Sequence, residues 1–186
     1  MNMKILLSSA AILLLLSGCQ SKENKVVDST QAPTATPTAS SVAMPTVSSD
    51  AIPPAILSID EYEAYASFQN DLDEQKLKDL EPISVAKMYV LARWDQNHKA
   101  AYALYTDKSG HVQWTKEEDE QIPESDRGTK VQIYKQFNGI DQGEFVQTSD
   151  FEGYIEFQPT VGEEKAGFQM IKDDDGIWNV SFQPLQ

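Results

Sequence analysis

His98 and His111 are the side chains best suited to moving a proton near neutral pH, and each has an aspartate nearby in the chain, Asp95 and Asp107. A His–Asp pair of this kind can serve as a general base, with Tyr89 or Tyr102 supplying a hydrogen bond to an oxyanion. Tyr89, Asp95, His98 and Tyr102 are therefore the candidate pocket residues. Against this, both histidines lie in polar, turn-like sequence, where solvated imidazoles are usual. Neither stands at a ligand spacing from a cysteine or from the other histidine, so no zinc motif is present and no metal or cofactor is expected. Asp173-Asp174-Asp175-Gly176 invites a calcium reading. Aligning Gly176 with the invariant glycine of a calcium loop, however, puts Ile171 at the first ligand position and Phe182 where the bidentate glutamate belongs. The run is expected to be a solvated hairpin tip, and Glu117 to Glu120 a solvated, helix-starting face. Serine-centred triads, phosphate-cradling glycine loops and the dinucleotide fingerprint are all absent.

The elements that must position these residues follow from capping signals and periodicity. Ser58-Ile59-Asp60-Glu61 reads as a capping box, in which hydroxyl and carboxylate satisfy free amides at a helix start. An amphipathic helix is expected from about Ile59 to Leu80, broken near Asp71, with Ile59, Tyr62, Ala66 and Leu72 inward and its carboxylates in water. Pro82 suits a first helical turn, and the wide apolar stripe from Ile83 to Trp94 is that of a helix lying across a sheet. Lys99 to Tyr105 reads as a second, short helix. Beyond Gly110 the period changes toward two. Val112 and Trp114 are expected to begin a strand, and Thr115 to Glu118 to open one helical turn before Pro123. Strands are expected at Thr129 to Phe137, Glu144 to Thr148, Gly153 to Gln158, Lys165 to Lys172 and Ile177 to Gln183. In the last three, Ile155 and Phe157, then Ala166, Phe168 and Met170, then Trp178, Val180 and Phe182 form the apolar face. Asp173 to Gly176 joins the final pair as a hairpin loop. Helices first and an antiparallel meander after them define an α+β domain, with the helices packed on one face of a curved sheet.

All seventeen aromatic residues lie beyond Ser58, which sets the start of the folded part near Ala55, so that residues 55–186 make one α+β domain. Gln20 to Pro54 contains no aromatic residue and no glycine but holds five of the nine prolines, a composition that cannot bury enough apolar surface to offset the entropy of ordering. A disordered, partly stiffened spacer is expected over residues 19–54, able to reach about 100 Å when extended. The formal charge of −14 lacks the footprint of a nucleic-acid binder, and that class is set aside. Cys19 is the only cysteine, so no intrachain disulfide is possible and the core holds by packing alone.

Lys4 followed by the apolar run Ile5 to Leu16 has the form of a cleaved export signal, too short for a permanent span. With Leu16, Ser17, Gly18 and Cys19 after it, the chain resembles a bacterial lipoprotein precursor, matching the four-position lipobox residue by residue. The resemblance implies a diacylglyceryl thioether on Cys19, cleavage between Gly18 and Cys19, removal of residues 1–18, and a location on the extracytoplasmic face of the cell membrane. Two long acyl chains would contribute on the order of 20 kcal/mol of gross anchoring, enough to hold so acidic a chain against anionic headgroups.

The run Pro82 to Tyr105 and the terminal hairpin Ile171 to Phe182 resemble the nuclear transport factor two-like group, and also the related cystatin-like folds. That resemblance implies a cone-shaped pocket between helices and sheet, used in such proteins for isomerase or dehydratase chemistry or for binding alone. The polar inventory favours the second use. The chain is expected to be a lipid-anchored envelope lipoprotein whose domain binds an envelope protein or a small ligand without chemistry. The alternatives are a small pocket enzyme of the isomerase or hydrolase type, and a structural component of an envelope assembly.

Overall fold

The computed structural model describes residues 53–159 and 164–186. The expected export signal, the lipobox with Gly18 and Cys19, and all of the spacer up to residue 52 lie outside the described residues. Helix α1 (Ile59–Asp71) opens on the expected capping box, with the Glu61 amide donating to Ser58 Oγ at 3.3 Å and the Ser58 amide to Glu61 Oε2 at 2.7 Å. It stops at Leu72, whose left-handed backbone turns its N–H back to the Phe68 carbonyl. A short 3₁₀ turn, Glu74–Leu77, follows.

The buried face of α1 is not the one expected. Ile59 and Tyr62 are 79% and 61% exposed, while Glu61, Tyr65 and Phe68, spaced four and three residues apart, are buried. Both stripes have helical spacing. The second is hidden in the sequence because it begins on a carboxylate, and carboxylates enter a core only with partners. Glu61 has them: Ser84 Oγ donates to Oε1 at 2.6 Å and Lys87 Nζ to Oε2 at 2.6 Å.

Those partners belong to helix α2 (Pro82–Trp94), which begins with its proline in the first turn, as expected. Val85, Ala86, Met88, Tyr89, Val90, Ala92 and Trp94 are all buried, so α2 is enclosed on nearly every side. It packs on the sheet and against the short helix α3 (His98–Ala103), which starts with Asn97 Oδ1 accepting from the Ala100 amide.

Helix α4 (Lys116–Glu120) is capped reciprocally by Thr115 and Glu118. Two of the expected strands are absent. Residues 112–114 are irregular, Val112 being 46% exposed. The outer edge of the last strand is taken at Val180 by residues 104–106: the Thr106 amide donates to the Val180 carbonyl and the Val180 amide to the Leu104 carbonyl. Thr129 to Phe137 is also not a strand but helix α5 (Lys130–Phe137). A third capping box, Thr129 with Gln132, begins it, and Ile133 and Phe137 are its buried pair four residues apart. An alternating strand would put Val131 and Ile133 on one face, but Val131 is exposed and Ile133 buried.

The remaining strands lie where expected: β1 (Glu144–Gln147), β2 (Glu152–Phe157), β3 (Ala166–Lys172) and β4 (Trp178–Leu185), an antiparallel meander in the order 1-2-3-4. Ile155 opposite Phe168, and Met170 opposite Val180, build the core face, with Phe157 and Phe182 beside them. Ala166 and Trp178 sit half-buried at its margin, where Trp178 meets the edge of Phe145 at 4.9 Å between ring centres. The β3–β4 register slips between Phe168 and Met170, and Gln183 in β4 takes a positive φ of 53°. The domain is thus α+β, with its helices packed on a four-stranded antiparallel sheet. Among the described residues no helix is long and apolar enough to cross a membrane.

Burial alone pushes the Glu61 carboxyl up, but hydrogen bonds from Lys87, Ser84 and the Ser58 amide, with the Lys87 charge, outweigh it and hold the pKa at about 2 instead of 4.5. A depressed folded-state pKa stabilises the fold above the unfolded value and loses that contribution as pH falls through the folded one. Glu61→Gln should therefore cost on the order of 2 kcal/mol at pH 7 in urea denaturation, and the difference from the parent should shrink between pH 4.5 and 2.

Candidate functional site

Tyr89 and Arg93 stand one turn apart on α2 and share a face. Arg93 Nη1 donates to the Tyr89 hydroxyl at 2.8 Å, and that oxygen lies 2.7 Å from the Tyr105 hydroxyl. Arg93 Nη2 donates to the Arg127 carbonyl at 2.7 Å, tying α2 to the segment before α5. Around these polar atoms the rings close up. Tyr89 meets Phe168 and Phe137 edge-on, Tyr105 stacks on Phe182 at 4.5 Å between ring centres, and Trp114 meets Phe182 edge-on at 4.5 Å. The space between α2 and the sheet is filled by aromatic side chains rather than left as a hollow cone.

Beside this block a cleft of about 230 Å³ opens between α3 and the segment from Trp114 to Arg127. Arg93, Tyr102, Tyr105, Trp114 and Arg127 are on its wall, and His98 stands where it continues into a wider depression of about 390 Å³ bounded by Gln96, Lys99 and Lys116. Asp119 is a strut of the wall. Its Oδ2 accepts from Arg127 Nη1 at 3.1 Å and its Oδ1 from Trp114 Nε1 at 3.3 Å, while the Tyr102 hydroxyl donates to the Trp114 carbonyl at 3.1 Å.

The structure thus brings three of the four candidate residues, Tyr89, His98 and Tyr102, to one cleft. The fourth is elsewhere: Asp95 is the exposed C-cap residue of α2 and is not on the wall. His98 Nε2 lies instead 3.0 Å from Glu124 Oε2, in the 3₁₀ turn Glu124–Asp126. His111 meets the ring of Phe151, away from the cleft. Burial raises the pKa of Tyr102, with the charges of Asp119, Glu117 and Glu118 adding to it, and burial followed by Tyr89 raises that of Tyr105. Both phenols keep their protons at neutral pH and serve as hydrogen-bond groups. Sequence reasoning missed Arg93, Tyr105, Asp119 and Arg127. The one local signal was Tyr89 and Arg93 four apart on a helix; the others come together only through folding.

A second polar group is buried under the β3–β4 hairpin; Asp174, Asp175 and Gly176 form the expected solvated tip, and Asp173 alone departs from it. Asp174 is exposed as expected, but Asp173 is buried, accepting from the Thr106 hydroxyl, from the Asp107 amide at 3.1 Å and from Asn179 Nδ2 at 2.8 Å. Asn179 Nδ2 also donates to Glu74 Oε2 at 2.9 Å, and Asn179 Oδ1 has no partner among the described residues. Three donors satisfy the buried carboxylate, while the Asp173 backbone closes the reversal, its amide donating to the Ile177 carbonyl at 2.8 Å and its carbonyl accepting from the Gly176 amide at 2.9 Å. Among the described residues no group of three or more His, Cys, Asp or Glu is placed to hold a metal ion. No family model, curated protein or solved structure matches the chain.

Glu74 carries the cost of that arrangement. Burial, reinforced by the charges of Asp107, Asp173 and Asp175 and opposed by the Asn179 hydrogen bond, pushes its pKa up to about 7 from 4.5. Between those two values the folded chain holds a proton that the unfolded chain has released, so this group lowers stability as pH rises. Glu74→Gln should raise stability by about 1–2 kcal/mol above pH 7 and leave it unchanged below pH 4, as read by thermal or urea unfolding across that range.

Proposed function

We propose that the chain is an envelope lipoprotein, held at the extracytoplasmic face of the membrane by acylated Cys19, and that its α+β domain is a non-catalytic receptor for a small ligand taken into the cleft beside α3. The observation that carries the binding half is the cleft itself: an open recess walled by aromatic rings and the Arg93 cation, next to an interior packed with rings. That filled interior speaks against an enzyme using a cone-shaped pocket. A pocket enzyme is the second reading, favoured by His98 paired with Glu124 in the same cleft as the protonated Tyr102. The order of helices and closing meander supports the likeness to the nuclear transport factor two-like group as a scaffold. A role as a structural assembly component draws less support, because the sheet positions away from the core face are mostly polar, with Glu152, Glu156, Gln169 and Ser181 beside Tyr154, Val146 and the buried Ile171.

The anchoring half is carried by the lipobox. Cys19→Ser should abolish incorporation of labelled fatty acid and leave the precursor uncleaved, and persistent labelling would refute it. For the binding half, small metabolites added to the isotopically labelled chain should shift amide resonances around His98, Tyr102 and Arg127. A chain that responds to no compound, or whose responses map elsewhere, would sink it.

A further inference from the structure

We infer that the ligand of this cleft carries a carboxylate, received by Arg93 and Gln183, with an apolar or planar body lying against Tyr102 and Trp114; this rests on the proposal that the cleft is a binding site. The chain has two arginines, and they are treated differently. Arg127 is matched by Asp119. Arg93, half-buried, is held only by phenol oxygen and a peptide carbonyl, and no described carboxylate pairs with it. In a chain with 29 acidic residues, anionic partners are abundant, yet the fold leaves this cation without one. Phenol and peptide oxygens hold the guanidinium in place without neutralising it, and its planar set of donors suits a carboxylate.

Gln183 points the same way independently. It sits where β4 slips register, in a left-handed conformation that a residue with a Cβ rarely adopts. Its side chain is exposed and makes no hydrogen bond among the described residues. With Arg93, it borders both the cleft and a second recess of about 240 Å³ beside Gln136 and Phe137. Bulges of this kind re-aim side chains at sites. The donors of Arg93 and the amide of Gln183 make a set suited to a planar monoanion. A phosphate would bring a second charge with no second unpaired cation among the described residues that line the cleft, since Arg127 is matched by Asp119 and His98 by Glu124. The volume of about 230 Å³ suits a ligand of small aromatic-acid size.

The test titrates the purified full chain with benzoate, with benzamide as its uncharged counterpart, and with inorganic phosphate, followed by tryptophan fluorescence and by amide shifts near Trp114. Benzoate should saturate below about 1 mM, with benzamide and phosphate each at least about 10-fold weaker. Arg93→Lys, which keeps the charge and loses the fork, should weaken benzoate about 10-fold, and Gln183→Ala, an exposed change that spares the core, several-fold. Near-UV circular dichroism identifies any variant that has lost its packing, in which case Gln183→Ala decides alone. Benzoate binding no tighter than benzamide or phosphate, an absence of saturation, or indifference to Gln183→Ala would overturn the inference. If other metabolites still shift the cleft amides when benzoate fails, the carboxylate assignment falls and the binding-domain reading stands.

Discussion

Helix α2 has almost no side that meets water, and most of the domain is arranged to make that enclosure tolerable. Apolar residues on it pack against the sheet, α3 and α5, which needs no further explanation than their burial. Its polar residues are the constraint. Ser84 and Lys87 near one end, and Tyr89 and Arg93 near the other, must each find a partner or carry the cost of desolvation. The first pair is met by Glu61 of α1, the second by Tyr105 and the Arg127 carbonyl. Docking of α1 and the lining of the cleft are therefore two answers to one requirement.

The two ends differ in how completely the requirement is met. At Glu61 a carboxylate, an ammonium and a hydroxyl neutralise and saturate one another, and the result is a rigid joint between helices. At Arg93 the charge is positioned by phenol and peptide oxygens but not balanced. Burial works against that charge, and the Tyr89 and Tyr105 oxygens more than offset it, so its pKa is raised above the ordinary arginine value and the guanidinium stays charged. A fixed cation in the wall of an open, aromatic-lined recess is what a binding site needs and what a core does not.

The hairpin shows the same economy with the sign reversed. Asp173 is satisfied by Thr106, Asp107 and Asn179 and ties β4 to the segment after α3, whereas Glu74 is drawn into the same group with too many negative neighbours. The fold retains an unfavourable carboxylate there because Asn179 is shared between the two. Opposite pH dependences thus arise from Glu61 and Glu74 within one small domain, one from a matched carboxylate and one from a crowded carboxylate.

Much of this architecture was legible in the residues alone. Ser58 with Glu61, Pro82, and Thr115 with Glu118 mark helix starts by local chemistry, and the alternation in β2, β3 and β4 marks a half-buried meander, because both signals act within a few residues. The same kind of box, Thr129 with Gln132, stands at the start of α5, within a stretch expected to be a strand. Val112 to Trp114 looked extended, and only the assembled sheet shows that Tyr105 and its neighbours have taken the edge it would need. Tyr89, His98 and Tyr102 could be picked out by type; that Arg93 is their unbalanced companion could not. Short-range capping and periodicity are written into neighbouring residues. Which charges are buried, which are matched and which are left over depends on groups far apart in the chain, such as Glu61 with Lys87 or Arg93 with Arg127, and only their packing settles it.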